Sequence, residues 1–150
     1  MKIPFSFLPI PPDSAFPNRD EIKRPIVALL IANGDRQTII FCVVDSGADL
    51  CVFPASLATR LGFALRRDKA SAFSGSGETT QMAFFVEVQA TILPMDGPNI
   101  DPNQEPLAFP LYAGFCDTLE HVGMGLLGQE GFFSRFTVHF NNAESYFEIL

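Results

Sequence analysis

The sequence predicts an all-β, barrel-like domain with one or two short helices. Three observations point there. Short runs rich in Val, Ile, Leu and Phe recur along the chain, each bounded by Gly, Pro, Asn or Asp. The stretches that read as helix are few and span about two turns each. The length of 150 residues suits one domain, and a hydrophobic share of 47% is enough to bury a core. Sixteen Phe against two Tyr and no Trp make that core a phenylalanine one.

Residues 1–24 are proline-rich and then charged (Asn18-Arg19-Asp20-Glu21). They read as an extended arm rather than a folded unit, and Ile3, Phe5, Phe7 and Leu8 suggest that it packs along a surface. Residues 25–150 read as the domain. Pro25 to Ala32 is a strand, Asn33-Gly34-Asp35 a turn, and Thr38 to Val44 the return strand of a hairpin. After Asp45-Ser46-Gly47-Ala48-Asp49 comes a short strand, Leu50 to Phe53. Pro54 to Gly62 is the first helix, opened by proline and closed by glycine as helix ends prefer.

Ala70 to Glu87 reads as a hairpin with a small polar tip at Ser74-Gly75-Ser76-Gly77-Glu78, and its second arm continues to Leu93. Four prolines make 94–106 a loop. Leu107 to Tyr112 is a further strand, and Glu130 to Phe136 reads as a second short helix. Thr137 to Phe140 and Tyr146 to Leu150 are the last strands, turned at Asn141-Asn142.

The formal net charge is −7, with a pI near 4.6. That argues against nucleic acid or an anionic membrane as partner, because both need a basic face. Prolines interrupt the apolar N-terminus, and no run reaches the ~18 apolar residues of a membrane span. Cys42, Cys51 and Cys116 are odd in number and sit in apolar surroundings, so they read as reduced thiols of a cytoplasmic protein. A metal site on Cys116 and His121 would need two further ligands that are not evident. Gly123 to Gly128 fits a Gly-x-Gly-x-x-Gly pattern, but the segment after it has no room for the βαβ unit that a dinucleotide site requires.

The chemistry concentrates at Phe41-Cys42-Val43-Val44-Asp45-Ser46-Gly47-Ala48. An apolar strand delivers one carboxylate to a tight turn, with a hydroxyl and a glycine directly after it. Glycine lets the backbone turn sharply and approach a neighbour closely. This segment resembles the active-site loop of aspartic peptidases. Across residues 24–140 the order of elements resembles the retropepsins in particular. Arg24-Pro25-Ile26-Val27 is similar to the segment that opens their core, Gly75-Ser76-Gly77 to their flap, and Leu126-Leu127-Gly128 to the apolar-apolar-Gly element beside the catalytic loop.

The resemblance implies a closed β-barrel of the acid-protease-half type, active as a homodimer on a peptide or protein substrate. Asp45 is then the catalytic carboxylate, and Ser46 and Gly47 shape its loop. Ala48, Asp49, Gly75, Ser76, Gly77 and Glu78 bind substrate, while Leu126, Leu127 and Gly128 support the loop. No metal or cofactor is implied. The family's mechanism needs two carboxylates sharing one proton, because like charges ~3 Å apart cannot both ionise. This chain carries one such motif, since Asp117-Thr118 is followed by Leu119 and lacks the glycine, so the second carboxylate comes from a symmetry mate.

The pattern departs at Gln129, where retropepsins carry an arginine that ion-pairs near the acid after the loop. Arg24 of a partner chain reaching Asp49 is also implied, against the plainer reading of Asp49 as a solvated acid. Asp45 alone could equally close an ordinary turn. Two other functions stay open on the residues: a binding or scaffold module that keeps the fold without cutting, and a monomeric barrel that holds a small ligand.

Overall fold

The computed structural model describes residues 1–74, 80–97 and 99–150. The strands in chain order begin with β1 (Lys2–Pro4), β2 (Ser6–Pro9), β3 (Glu21–Arg24), β4 (Ile26–Asn33), β5 (Arg36–Val44) and β6 (Val52–Pro54). Helix α1 (Ala55–Leu61) follows, then β7 (Ala70–Ser74), β8 (Thr80–Leu93), β9 (Met95–Asp96) and β10 (Asn99–Ile100). The chain ends with β11 (Leu107–Cys116), β12 (Gly125–Leu127), β13 (Val138–Asn141) and β14 (Tyr146–Ile149). Strand accounts for 53% of the chain and helix for 9%, which makes the fold all-β as expected.

Six strands close on themselves in the order β11–β6–β12–β5–β4–β8 and back to β11. Closure depends on β8. Its middle pairs with β11 from Leu107↔Ile92 to Phe115↔Phe84, while its C-terminal half also pairs with β4. Its N-terminal end carries β7 as a hairpin partner. The β4–β5 hairpin turns at Gly34-Asp35, where the sequence placed it. Along β8 and β11, buried and exposed residues largely alternate, as one-sided burial demands.

The interior is built on Phe. Phe53, Phe115, Phe132 and Phe147 are fully buried with Leu29, Ile31 and Leu127. Phe109 meets Phe136 edge-on at 5.0 Å between ring centroids, and both lie against Phe132. Such tilted and edge-on pairs match the ring quadrupoles.

Helix α1 covers one flank of the barrel with Leu57, Ala58 and Leu61. Pro54 caps it from outside the helix. Gly62 ends it at φ 71°, and the Phe63 and Gly62 amides donate back to Ala58 O and Thr59 O. That pattern is a Schellman stop.

Two expectations need correction. Glu130–Phe136 is not a helix. Gly131 sits at φ 98°, and the Phe133 and Ser134 amides reach back five residues to Gly128 O and Gln129 O, so the segment is a succession of wide turns. The N-terminal stretch is extended but also paired. β1 lies against β14 (Lys2↔Glu148) in a three-stranded sheet with β13, and Ile3 is 3% exposed in the core. Pro4 and Pro9 fall at strand ends, where the missing amide costs no ladder bond, and Pro11, Pro12 and Pro17 lie between the strands. Among its described residues, the loop at 94–106 holds only the two-residue ribbon β9–β10.

Phe132 touches the aromatic cluster from the wide-turn segment, so truncating it opens a cavity under the site. Phe132→Ala is expected to lower unfolding free energy by about 3–5 kcal/mol in denaturant titration.

Candidate active site

Strand β5 buries Cys42 and Val44 and brings the chain to the barrel end at Asp45. The Val44 amide donates to Pro25 O at 2.8 Å, which fixes the last turn of the strand. On its other side β5 runs parallel to β12, with Leu127 opposite Val44. One residue further, the Asp45 amide donates to Leu127 O at 3.0 Å.

The chain then turns. The Ala48 amide donates to Asp45 O at 3.1 Å, and the Gly47 amide donates to Asp45 Oδ1 at 2.9 Å. The carboxylate is therefore held by its own loop. Asp45 is half-buried, while Ser46 and Gly47 are exposed at the tip.

Residues 127–130 hold the back of this loop along its length. The Gln129 amide donates to Ala48 O at 2.8 Å and the Glu130 amide to Asp49 O at 2.9 Å. Leu50 then forms an isolated parallel bridge with Glu130. Gly128 lies directly beneath: a Cβ there would sit 2.5 Å from both Ala48 O and Leu50 O. Only glycine allows two backbones to approach this closely.

Leu126 and Leu127 occupy β12, and Leu126 also pairs with Val52 of β6. The expected loop residues Asp45, Ser46, Gly47, Ala48 and Asp49 and their supports Leu126, Leu127 and Gly128 are thus in one place. Gly75, Ser76, Gly77 and Glu78 lie outside the described residues.

Two side chains support the loop in roles that the sequence did not reveal. Gln129 Nε2 donates to Ser46 O at 2.6 Å, so the amide that stands in place of an arginine holds the loop tip directly. Cys51 Sγ accepts the Gly128 amide at 3.3 Å and donates to Glu130 O at 3.2 Å. Burial pushes the Cys51 thiol up to about 11, with amide hydrogen bonds from Gly128 and Phe132 opposing it. The thiol thus stays protonated as a donor. Nothing in the sequence distinguished Cys51 from an ordinary core thiol, and Gln129 read only as the loss of an arginine's ion pair.

Arg24 Nη1 donates to the carbonyl of Lys23 within its own chain. Among the described residues the one ion pair is Arg66–Asp68, both exposed. Also among the described residues, no group of three or more His, Cys, Asp or Glu is placed to hold a metal ion. None of the helices described is long and apolar enough to cross a membrane. Where the loop rejoins the barrel, Leu50 borders a cavity of about 410 Å³ together with Ala70, Phe85, Tyr112 and Glu130.

No protein-family model matches this chain, and no curated protein matches it.

A methyl group at residue 128 must push the Asp45 loop off its seat. Gly128→Ala is expected to cost about 1–3 kcal/mol of stability, read as a lower denaturation midpoint. The Cys51 thiol gives a pH signature. Its folded value, about 11, lies above the ordinary 9.0. The unfolded thiol therefore ionises first, and stability falls as pH rises past 9 toward 11. Thermal melts of the native chain and of Cys51→Ala across that range are expected to converge with rising pH.

Proposed function

We propose that the chain is one half of a retropepsin-type aspartic peptidase, in which two copies place their Asp45 side chains together across a two-fold axis. The observation that carries this reading is the seating of the Asp45 loop. An apolar strand ends in an Asp whose amide is fixed by the carbonyl of Leu127 and whose carboxylate accepts the Gly47 amide, with Gly128 packed beneath. The residues before, in and under the loop are those that the family resemblance requires, in one compact arrangement.

The chemistry follows from pairing. Of two adjoining carboxylates one is ionised and one protonated, because both cannot carry charge at that distance. The ionised group takes a proton from water as the water oxygen attacks the peptide carbonyl carbon. The protonated group donates to the carbonyl oxygen, giving a neutral tetrahedral gem-diol. A proton then passes to the amide nitrogen, the C–N bond breaks, and the pair returns to its singly protonated state.

Ser46 and Gly47 shape the loop on each side of the axis. Ala48 and Asp49 face the substrate backbone, and the β7–β8 hairpin takes the part of the flap, with Gly75, Ser76, Gly77 and Glu78, outside the described residues, as the proposed substrate-binding residues. The substrate is an extended peptide segment. Three free, buried cysteines suit a reducing, cytoplasmic setting.

Purified protein incubated with a diverse peptide pool between mildly acid and neutral pH is expected to cut, and a statine-type inhibitor to stop it. Asp45→Asn is expected to fold and dimerise with cleavage reduced by about 10²–10⁴-fold or more. An unchanged rate in that variant rejects the mechanism. Absence of cleavage by a verified dimer assigns the chain to a binding or scaffold role.

A further inference from the structure

A second apolar cluster lies apart from the barrel core. Val52, Ala83, Phe85 and Cys116 are buried in it, with Leu50, Phe73 and Leu126 half-buried against them. Leu126 belongs to β12, beside the Asp45 loop, and Phe73 to β7, so the cluster runs from the loop to the β7–β8 hairpin.

The cavity of about 410 Å³ opens on this cluster, sharing Leu50 and Phe85 with it. Tyr112 adds an aromatic wall. It is 52% exposed, and its ring lies 5.5 Å from that of Phe85 at 31°. Gly114 makes room for the pair. It faces Phe85 across the β8–β11 ladder, and a Cβ there would come 2.8 Å from Phe85 Cζ. The Phe85 ring thus lies over a strand position with no side chain, next to Tyr112.

The Asp45 loop fixes where the cavity lies. Leu50 follows Asp49 directly and bridges Glu130, whose amide holds Asp49 O. Ala70 and Ser71, at the root of the β7–β8 hairpin, line the cavity too. A peptide laid between loop and hairpin therefore passes its mouth. Charge at the rim does not select. Asp68 is held by Arg66 at 2.8 Å, which leaves Lys69 and Glu130, of opposite sign. What remains is apolar and aromatic contact, in a volume within the ~300–1,000 Å³ range of ligand pockets.

The geometry points to this cavity as a specificity pocket that takes an aromatic side chain, Phe or Tyr, of the peptide substrate, with Tyr112 as the residue that sets the preference. The inference rests on the peptidase reading above. A further ring extends the tilted Phe85–Tyr112 pair, which an aliphatic or charged side chain cannot do. Two-fold symmetry repeats the cavity in the second copy, so the preference falls on both sides of the cut bond.

Sequencing the products that native protein makes from a diverse peptide pool tests this. At one position on each side of the cut, Phe or Tyr is expected to exceed Ala by about tenfold or more in kcat/KM. Tyr112→Ala is expected to lower that ratio about fivefold or more, and Tyr112→Leu, which keeps apolar bulk without the ring, to lower it as well. Tyr112→Phe keeps the ring and is expected to keep the ratio. A ratio that both ring-less variants leave in place overturns the pocket while the catalytic reading stands, as does a pool cut with Leu, Lys or Asp favoured over Phe at every position. If native protein cuts nothing, calorimetric binding to the Asp45→Asn protein separates the two readings, using short alanine-based peptides with or without a single Phe. Phe peptides held about tenfold more tightly, with Tyr112→Ala in that background removing the difference, leave the pocket standing and the catalytic reading fallen. Equal binding of the two peptides overturns the pocket.

Discussion

The parallel pairing of β5 with β12 is the constraint on which the site depends. It aligns Val44 with Leu127, and that register alone places the Asp45 amide on the Leu127 carbonyl. The next three residues of the second segment then run under the loop and tie its backbone through Gln129 and Glu130. Backbone contacts of this kind do not depend on rotamer choice. The carboxylate is therefore positioned by the sheet, and the side chains around it are left to tune the fit.

A parallel pair cannot be made by a tight turn, so the chain between these strands has to travel. It does so by building β6, α1 and the long excursion through β8 and β11 before returning as β12. Strand β6 lies on the other side of β12, antiparallel to it and parallel to β11. The Asp45 loop is consequently bounded by the strand that enters it, the strand that leaves it and a third strand between the two. Cys51 sits at the exit and ties Gly128 to Glu130, so the thiol serves as a small internal staple with no redox partner.

Most of the barrel was legible in the sequence because its strands carry local signals. Asn33-Gly34-Asp35 between two apolar runs specifies the β4–β5 hairpin, and Pro54 and Gly62 bracket α1 within a residue at each end. The Asp45 loop and the Leu126-Leu127-Gly128 element were legible as motifs, because a close approach of two backbones leaves a glycine in the sequence. What could not be read were interactions set by tertiary position. The periodicity of Glu130–Phe136 suits a helix, yet Gly131 in a positive-φ conformation and two apolar Phe facing one cluster produce wide turns instead. Pairing of β1 with β14 joins the two ends of the chain and leaves no local trace. Gln129 looked like the loss of an ion pair, and its amide instead reaches a carbonyl that no pattern marks.

Strand β8 has a consequence for how the molecule is made. One strand serves β7 at its start, β11 through its middle and β4 at its end, so the ring closes through a single long element. The pairings that complete the ring join residues far apart in the chain, Val52 to Gly114 and Val44 to Leu127 among them. Loop-closure entropy has to be overcome before these contacts give anything back, which makes folding slow compared with a helical bundle of similar length. The β4–β5 hairpin can form early and locally, but the seat of Asp45 exists only once β12 has arrived. During synthesis, the Asp45 loop is thus assembled only after β12 has emerged.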